Sequence, residues 1–395
     1  MKTLGIFVGN WLSWQGGVSY VRSFLQCASE YRHAKGSRFK IVAVVPKKTD
    51  CSWLHENGGL VDEVLVDAAG TLSPRQMVPE RIVAKLFPQK FPRRDISRAA
   101  FCRRNSLNVL FGCSGSISVP GFYRSASYIW DLGHRLAPGE FPLEECEHRD
   151  KFFRDVCFSH HVVIVSSKHD ATALRALFPD APARIVVHSF RSFIGKSELG
   201  DDPSRVASEF GLPRKYAIVC NQMWKHKRHD LLVRAVADLQ TRIPEICVVF
   251  TGAEKTQYHP SYPQSVVRLI NELRIGSGVI RLGVVPRNQQ LALLRGAAFI
   301  VQPSVSEGWN TGVEEAHMLG KNVLMSDIPV HLEQFYEGCR VFKKDDIGSL
   351  INEFESMWRV SQPGPSAKEE SSKSTYAELR SAAISNVLNQ LGVIK

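Results

Sequence analysis

Acidic and hydrogen-bonding residues are concentrated in one short stretch, SVSEGWNTGVEEAHMLGK, which runs from Ser304 to Lys321. The stretch follows an apolar run, Phe299–Gln302, that predicts a buried strand. Its second half predicts a helix that begins near Thr311 and ends at Gly320. Ligands bind at the carboxyl ends of parallel strands in α/β folds, and the amides at a helix start favour phosphate. Carboxylates beside those amides would accept hydrogen bonds from hydroxyls, so the junction suits a sugar nucleotide.

The three glutamates of this stretch have different predicted roles. Thr311 and Glu314 have the spacing of a capping box, in which each side chain binds a free backbone amide. Glu314 is therefore predicted to be structural. Capping does not explain Glu307 on the loop or Glu315 in the first turn, so these two residues are candidates for ligand contacts.

Length and composition predict a globular protein with more than one domain. The chain has 395 residues, of which 44% are hydrophobic and 23% are charged, and two domains are usual at this length. The apolar runs are much shorter than the ~18 residues of a membrane-spanning helix. The first residues, MKTLGIFVGN, predict a strand rather than a secretion signal. Nine scattered cysteines without a C-x-x-C pair favour a reduced, cytoplasmic protein.

The net charge of +11 predicts either an anionic partner or a strongly solvated surface. Many basic residues lie in one segment, Arg75–Arg104, in which Phe87, Phe91 and Phe101 are interleaved. Nucleic acid, a membrane surface and phosphorylated substrates are the candidate partners, and a surface that serves only solubility is the alternative. Nucleic acid is disfavoured because no zinc-finger, RNP-like or homeodomain pattern accompanies the charge.

Short apolar strands alternate with amphipathic helices along most of the chain, which predicts an α/β fold with parallel sheets. One series occupies residues 1–190 and a second occupies residues 208–360. Between them, residues 191–207 lack clear periodicity and are predicted to be a linker. Residues 361–375 are rich in Ser, Pro, Lys and Glu, and are predicted to be a mobile loop before a last helix at 376–395.

The spacing of Glu307 and Glu315, E-x7-E, resembles the signature of retaining, family-4-type glycosyltransferases of the GT-B fold. The wider run PSVSEGWNTGVEEAHMLGKNVLMSDIPVHLEQ resembles a bacterial branch in which Trp follows the first Glu-Gly. Three earlier segments resemble that branch in the same order: WDLGHRLAPGEFPLEECEHRDKFF (Trp130–Phe153), VIVSSKHDATALRALFP and CNQMWKHKRH (Cys220–His229). The similarity implies two Rossmann-like, doubly wound parallel-sheet domains that face a central cleft, with the acceptor on the first and the nucleotide sugar on the second.

The resemblance also implies roles for the residues of the opening stretch. Glu307 corresponds to the glutamate that contacts the donor sugar hydroxyls, and Glu315 to the one that contacts the ribose. The amides of Asn310, Thr311 and Gly312 would then face the diphosphate or the sugar.

In the family an Arg and a Lys hold the diphosphate. Lys227 matches the Lys, whereas Gln222 stands where the Arg is expected. Lys225 or Arg228 would have to supply the missing charge. The alternative for Lys227 is a solvated cation at a helix start.

Two further correspondences fall in the first domain. The family has a two-glycine loop that faces the reaction centre, which Gly16 and Gly17 match, although any tight turn could require a glycine pair. The family histidine matches His134, beyond the predicted strand Ser127–Trp130, with Asp131 as a helper. A structural histidine is the alternative for His134.

The function that the resemblance implies is transfer of a hexosyl group from a nucleoside diphosphate sugar to an acceptor hydroxyl, with retention, in bacterial surface polysaccharide or glycan assembly. The sequence has no two Asp residues separated by one residue, so the D-x-D metal motif is absent and no metal or further cofactor is expected. Acceptors in this family are commonly lipid-linked glycans, and the segment Arg75–Arg104 predicts peripheral binding to the anionic inner face of the cytoplasmic membrane.

Two other classes of function remain open from the sequence. One is another nucleotide-sugar enzyme, such as an epimerase, although no early G-x-G-x-x-G supports it. The other is a catalytically weak GT-B-like binding or scaffold protein, which Gln222 in place of the family Arg would permit.

Overall fold

The computed structural model describes two compact units. The described residues are 1–9, 11, 15–46, 54, 59–67, 101–112, 123–137, 139–256 and 258–394. One unit contains Met1–Leu132, Cys146–Phe193 and Leu379–Lys395, and the other contains Gly133–Glu145 and Ile194–Glu378. Each unit holds one parallel sheet, so the predicted α/β class with two sheets is confirmed.

The first unit is built on a seven-stranded sheet. Its strands are β1 Lys2–Phe7, β2 Phe39–Pro46, β3 Glu63–Asp67, β4 Val109–Gly112, β5 Arg124–Tyr128, β6 Val162–Val165 and β7 Arg184–Val187. They run parallel in the order β3-β2-β1-β4-β5-β6-β7. Helices along this part of the chain include α1 Gln15–Lys35, α2 Gly133–Leu136, α3 Leu143–Ser159 and α4 Lys168–Leu177.

The second unit is built on a six-stranded sheet. Its strands are β8 Ala217–Cys220, β9 Val248–Thr251, β10 Val279–Gly283, β11 Phe299–Gln302, β12 Val323–Ser326 and β13 Cys339–Phe342. They run parallel in the order β10-β9-β8-β11-β12-β13. Helices in the second half of the chain include α5 Pro203–Glu209, α6 His229–Gln240, α7 Tyr262–Glu272, α8 Arg287–Gly296, α9 Thr311–Met318, α10 Pro329–Glu333, α11 Ile347–Val360 and α12 Glu369–Gln390.

Helices cover the six-stranded sheet on both faces, and alternate side chains of its strands pack against the helices of each face. Val219 and Val301 point to one face and pack with α6, α7 and α11. Ile218 and Ile300 point to the other face and pack with α8 and α9. Successive residues of a strand point to opposite faces, so a strand buried on both sides is apolar throughout. None of the helices in the described ranges combines the length and the apolar composition needed to cross a membrane.

The strand order of the second sheet reverses between β8 and β11. β8 begins one half of the sheet, which continues through β9 to β10, and β11 begins the other half, which continues to β13. The helix that follows β8, α6, and the helix that follows β11, α9, lie on opposite faces of the sheet. A crevice is therefore expected beyond the carboxyl ends of the two central strands. The loop after β8 leads to Lys227, and the loop after β11 contains Glu307.

The predicted linker at residues 191–207 contains regular structure. A 3₁₀ turn spans Lys196–Leu199, and α5 begins at Pro203. The side chain of Asp202 caps α5 by accepting a hydrogen bond from the amide of Arg205 at 2.7 Å, and Pro203 suits the first helical position. A capped helix of two turns is too short to show periodicity in the sequence.

The last helix begins earlier than predicted. α12 starts at Glu369, inside the predicted loop 361–375, and continues to Gln390. Glu369 is buried and pairs with Arg295 at 3.2 Å and with Lys373 at 2.8 Å. These ion pairs order the first turn of a segment whose polar composition had predicted a loop. The residues from Leu379 onward belong to the first unit.

Candidate functional site

Glu307 and Lys227 form an ion pair at the switch point of the second sheet. Lys227 lies in a 3₁₀ turn, Lys225–Lys227, after β8, and Glu307 lies in the loop after β11. The Nζ atom of Lys227 donates to Oε1 of Glu307 at 2.5 Å and to Oε2 at 2.7 Å. The side chain of Glu307 is only 7% exposed and that of Lys227 is 17% exposed. The structure therefore brings together two residues that were predicted to contact the same ligand.

The ion pair sets the protonation state of Glu307. Burial is the largest single influence and by itself would raise the pKa of the carboxyl group, but the charge of Lys227, the charges of His331 and His226 and the hydrogen bond from Lys227 together outweigh burial. The pKa of Glu307 is therefore held below its usual value of 4.5. Glu307 is a carboxylate at neutral pH and can only accept hydrogen bonds.

Asn310, rather than Thr311, caps the helix beside this pair. The backbone of Asn310 is extended (φ −96°, ψ 104°), and its side-chain oxygen accepts from the amide of Val313 at 3.2 Å. Thr311 is the first helical residue, so the predicted capping box of Thr311 and Glu314 is wrong. Gly320 follows the helix with φ of 62°, as predicted for a residue that ends a helix.

Hydrogen bonds between amide side chains connect Glu307 to the carboxyl end of β11. Nδ2 of Asn310 donates to Glu307 Oε1 at 3.1 Å and to Gln302 Oε1 at 3.1 Å. Gln302, the last residue of β11, also accepts from Asn221 Nδ2 at 2.6 Å. A side chain at position 312 would place its Cβ 2.7 Å from Gln302 Nε2, so Gly312 is needed for the helix to approach the strand end.

Glu315 is held by a second cation. Its Oε1 accepts from Nη2 of Arg287 at 2.6 Å, and its side chain is only 5% exposed. Arg287 begins α8, and its Nε lies 3.6 Å from Oε1 of Glu198. The two predicted ligand carboxylates therefore lie near the start of α9, each paired with a cation. No pattern in the sequence indicated Arg287.

His331 is a buried neighbour that the sequence did not indicate. Burial lowers the pKa of His331 to about 4, although the charge of Glu307 acts in the opposite direction. Its Nδ1 lies 3.1 Å from the carbonyl oxygen of Ser326, and its Nε2 lies 3.4 Å from Asn310 Nδ2. A carbonyl only accepts, so Nδ1 carries the proton and Nε2 is an acceptor directed at Asn310.

The other cations predicted near the diphosphate have carboxylate partners of their own. Gln222 is exposed. Lys225 Nζ lies 3.2 Å from Glu140 Oε1, and Arg228 Nε lies 3.2 Å from Asp230 Oδ1. That Lys225 or Arg228 supplies the positive charge of the missing Arg stays a prediction.

The predicted first-domain residues are placed as follows. Gly16 and Gly17 lie in the first turn of α1 instead of a loop, with Gly16 exposed and Gly17 buried. Asp131 lies in the first unit, and its Oδ1 accepts from Arg149 Nη1 at 3.1 Å. His134 belongs to the second unit, where it is 4% exposed and its ring lies 6.5 Å from that of Phe141. A catalytic role for His134, with Asp131 as a helper, stays a prediction.

Comparison with known proteins agrees with this fold. Residues 201–361 match the model of the family glycosyl transferases group 1. No curated protein sequence matches the chain. A glycosyltransferase from Rickettsia africae is 13% identical over 98% of this chain and 93% of that chain, with a TM-score of 0.60. HepE of Anabaena, in complex with UDP and glucose, is 15% identical over 98% of this chain and 95% of that chain, with a TM-score of 0.60.

A third solved structure extends the comparison to the full length of both proteins. WaaG, a glycosyltransferase involved in lipopolysaccharide biosynthesis, is 12% identical over 100% of each chain, with a TM-score of 0.57. Two doubly wound parallel-sheet units with these neighbours define the GT-B fold, which confirms the predicted fold class. The match to the model of the family glycosyl transferases group 1 covers residues 201–361, which lie within the second unit.

Proposed function

We propose that the protein transfers a hexosyl group from a nucleoside diphosphate sugar to an acceptor hydroxyl with retention of anomeric configuration. The observation that carries the proposal is the ion pair of Lys227 and Glu307 at the switch point between β8 and β11. The pair lies beside the start of α9, where first-turn amides lack acceptors within the helix and favour anions. A diphosphate and a sugar would therefore find a cation, amides and a carboxylate together.

Donor binding would separate the two members of the ion pair. The diphosphate would take Lys227 and the amides near Thr311 and Gly312, and Glu307 would then accept hydrogen bonds from the sugar hydroxyls. Glu315 would exchange its contact with Arg287 for the ribose hydroxyls. Both exchanges replace one charge-assisted hydrogen bond with another, so neither carboxylate is left without a partner.

The bond to the anomeric carbon breaks in an oxocarbenium-like transition state, in which negative charge builds up on the leaving diphosphate. Lys227 and the helix amides would stabilise that charge more strongly than they stabilise the ground state. A leaving phosphate oxygen takes the proton of the acceptor hydroxyl, whose oxygen forms the new bond on the same face of the sugar. Glu307 orients the sugar and is not a nucleophile, unlike the paired carboxylates of retaining glycosidases.

We further propose that the reaction needs no metal ion or additional cofactor, a proposal supported by the absence of a D-x-D pattern from the sequence. The proposed acceptor is a glycan or lipid-linked glycan of bacterial surface polysaccharide assembly. The protein would act in the cytoplasm, at the inner face of the cytoplasmic membrane. This location is supported by the basic segment Arg75–Arg104, of which residues 75–100 lie outside the described part of the chain.

A panel of nucleoside diphosphate sugars, incubated with the protein in EDTA, tests the proposal. One donor should raise the melting temperature and should be hydrolysed slowly to the nucleoside diphosphate. An epimerase would convert the sugar without that release, and a non-catalytic relative would show the thermal shift alone. Activity that EDTA abolishes and an added divalent cation restores would contradict the metal-free mechanism.

A further inference from the structure

A continuous chain of buried hydrogen bonds connects the C-terminal helix to Glu307. The hydroxyl of Tyr376, on α12, donates to Oε2 of Glu314 at 2.7 Å. Oε1 of the same carboxylate accepts from Gln334 Nε2 at 2.8 Å. Gln334 binds the backbone of Asn310 twice: Nε2 donates to the carbonyl oxygen at 2.9 Å, and Oε1 accepts from the amide at 3.0 Å. Asn310 in turn donates to Glu307.

The side-chain amide of Gln334 can take only one orientation. The amide nitrogen of Gln334 faces two acceptors and its oxygen faces a backbone donor, so the reversed amide would oppose like groups at all three contacts. The side chains of Tyr376, Glu314 and Gln334 are at most 2% exposed. A hydrogen bond lost at such a depth leaves a buried polar group without a partner, which costs far more than at the surface.

We infer that Tyr376, Glu314 and Gln334 are positioning residues that fix the direction of the Glu307 carboxylate, an inference that rests on the proposed function. Gln334 binds both the backbone N–H and the backbone carbonyl oxygen of Asn310. It thereby sets the direction of the Asn310 side chain. When the donor diphosphate takes Lys227, Glu307 loses its cation. Asn310 is then the partner that keeps the carboxylate directed at the sugar. These hydrogen bonds therefore affect kcat, although none of the three residues contacts the substrate.

A matched control exists in the same unit. The hydroxyl of Tyr216 is buried and donates to the carbonyl oxygen of Leu293 at 2.8 Å. Tyr216→Phe deletes a buried hydroxyl with its bond to Leu293, and Tyr376→Phe deletes a buried hydroxyl with its bond to Glu314. Tyr216 and Leu293 do not take part in the series of hydrogen bonds, described above, that connects Tyr376 to Glu307.

The test measures both substitutions in the parent and in a Glu307→Gln background, at a temperature where all four variants are folded. Both should lower the melting temperature. Only Tyr376→Phe should lower kcat, by about tenfold (about 1.4 kcal/mol), with the donor KM unchanged within about twofold. In the Glu307→Gln background that loss should disappear, because residues that act through one another are not additive. An equal loss of kcat in both backgrounds, or none in the parent, overturns the inference.

Crystal structures of the ligand-free variants separate this inference from the proposed function. The contact of Asn310 Nδ2 with Glu307 Oε1, now 3.1 Å, should lengthen beyond about 3.5 Å in Tyr376→Phe and persist in Tyr216→Phe. Gln334→Met, which removes both bonds to Asn310, should give the larger displacement. Release of no nucleoside diphosphate from any donor by the parent refutes the proposed function. An unchanged contact between Asn310 and Glu307 in Tyr376→Phe refutes the positioning role.

Discussion

Both carboxylate oxygens of Glu307 lie within 2.7 Å of the Nζ atom of Lys227, although the two residues are 80 positions apart and follow different strands. The parallel order of β8 and β11 is what allows the contact, because it places the two following loops at the same edge of the sheet. Lys227 and Glu307 are therefore paired with each other in the free protein, and in the proposed function a donor replaces the partner of each.

Glu307→Gln should lower kcat by about 10²-fold, a typical cost of removing one group that stabilises a transition state. The affinity for nucleoside diphosphate should change little, because in the proposed arrangement the diphosphate contacts Lys227 and the helix amides rather than Glu307. Steady-state kinetics and calorimetry measure the two quantities. Glu337→Gln is the matched control, since Glu337 is 88% exposed and pairs with Lys368 at the surface. Full transfer activity in Glu307→Gln would show that the carboxylate has no role in turnover.

Acid should weaken the contribution of the ion pair to stability. The folded pKa of Glu307 is held below its usual value of 4.5, so the stabilisation is present above that value and is lost as the pH falls below it. Lys227→Met leaves the carboxylate of Glu307 buried without a cation. At pH 7 this substitution should lower the free energy of unfolding by up to about 3 kcal/mol. That figure is the lower end of the range for buried pairs, because Lys227 is partly exposed.

Melting temperatures between pH 7 and pH 3 measure this effect. The difference between parent and Lys227→Met should narrow as the pH falls through 4.5, because protonation removes the unpaired charge. Lys368→Met, which breaks an exposed pair, should show a small difference at every pH. A difference for Lys227→Met that stays constant over this range would mean that the pair does not hold the pKa of Glu307 down.

Glu315→Gln should weaken nucleoside diphosphate binding by about tenfold, the cost of one charge-assisted hydrogen bond to a ribose hydroxyl. The turnover of bound donor should change much less, because Glu315 lies away from the reacting carbon in the proposed arrangement. Calorimetry with the nucleoside diphosphate measures the affinity. Glu353→Gln, at an exposed pair with Arg340, should bind as the parent does. Unchanged affinity in Glu315→Gln would remove Glu315 from the nucleotide site.

The sheet class, and the positions of Glu307 after β11 and Glu315 in the following helix, could be predicted because they depend on local patterns. Apolar runs mark the parallel strands, and the loop between the β11 run and the next helix marks the ligand-binding edge. The predicted bounds of β5 differ from the observed ones. The prediction was Ser127–Trp130, whereas the strand in the structure is Arg124–Tyr128. Its serines are buried, so hydropathy did not reveal its beginning.

The partners of the carboxylates could not be predicted, because they depend on tertiary packing. Arg287 begins α8, whereas His331 lies in α10 and Gln334 directly follows α10, and no spacing in the sequence relates these residues to Glu307 or Glu315. The helix cap shifted by one residue, from Thr311 to Asn310, because both residue types cap well and only the backbone angles decide between them.

Reversal of four arginines to Glu should abolish sedimentation of the protein with anionic liposomes at low salt. The four are Arg93, Arg94, Arg103 and Arg104, of which the last two are described and exposed. Each Lys or Arg near an anionic surface gains about 1 kcal/mol, so the charge reversal removes most of the attraction. Donor binding should be unchanged.

A matched variant controls for net charge in this experiment. It reverses four exposed basic residues of the second unit, Arg214, Arg234, Lys255 and Arg268. This variant should still sediment with the liposomes. Equal loss of sedimentation in both variants would mean that overall charge, and not the basic segment, drives binding. No sedimentation of the parent at low salt would leave the segment without a membrane role.

The anomeric configuration of the first product tests the central claim most directly. With the donor found in the panel and methanol as a surrogate acceptor, ¹H NMR follows the methyl glycoside, which does not interconvert between anomers in water. The account predicts a glycoside with the anomeric configuration of the donor, because the leaving phosphate and the acceptor share one face of the sugar. A glycoside of the opposite configuration would contradict it.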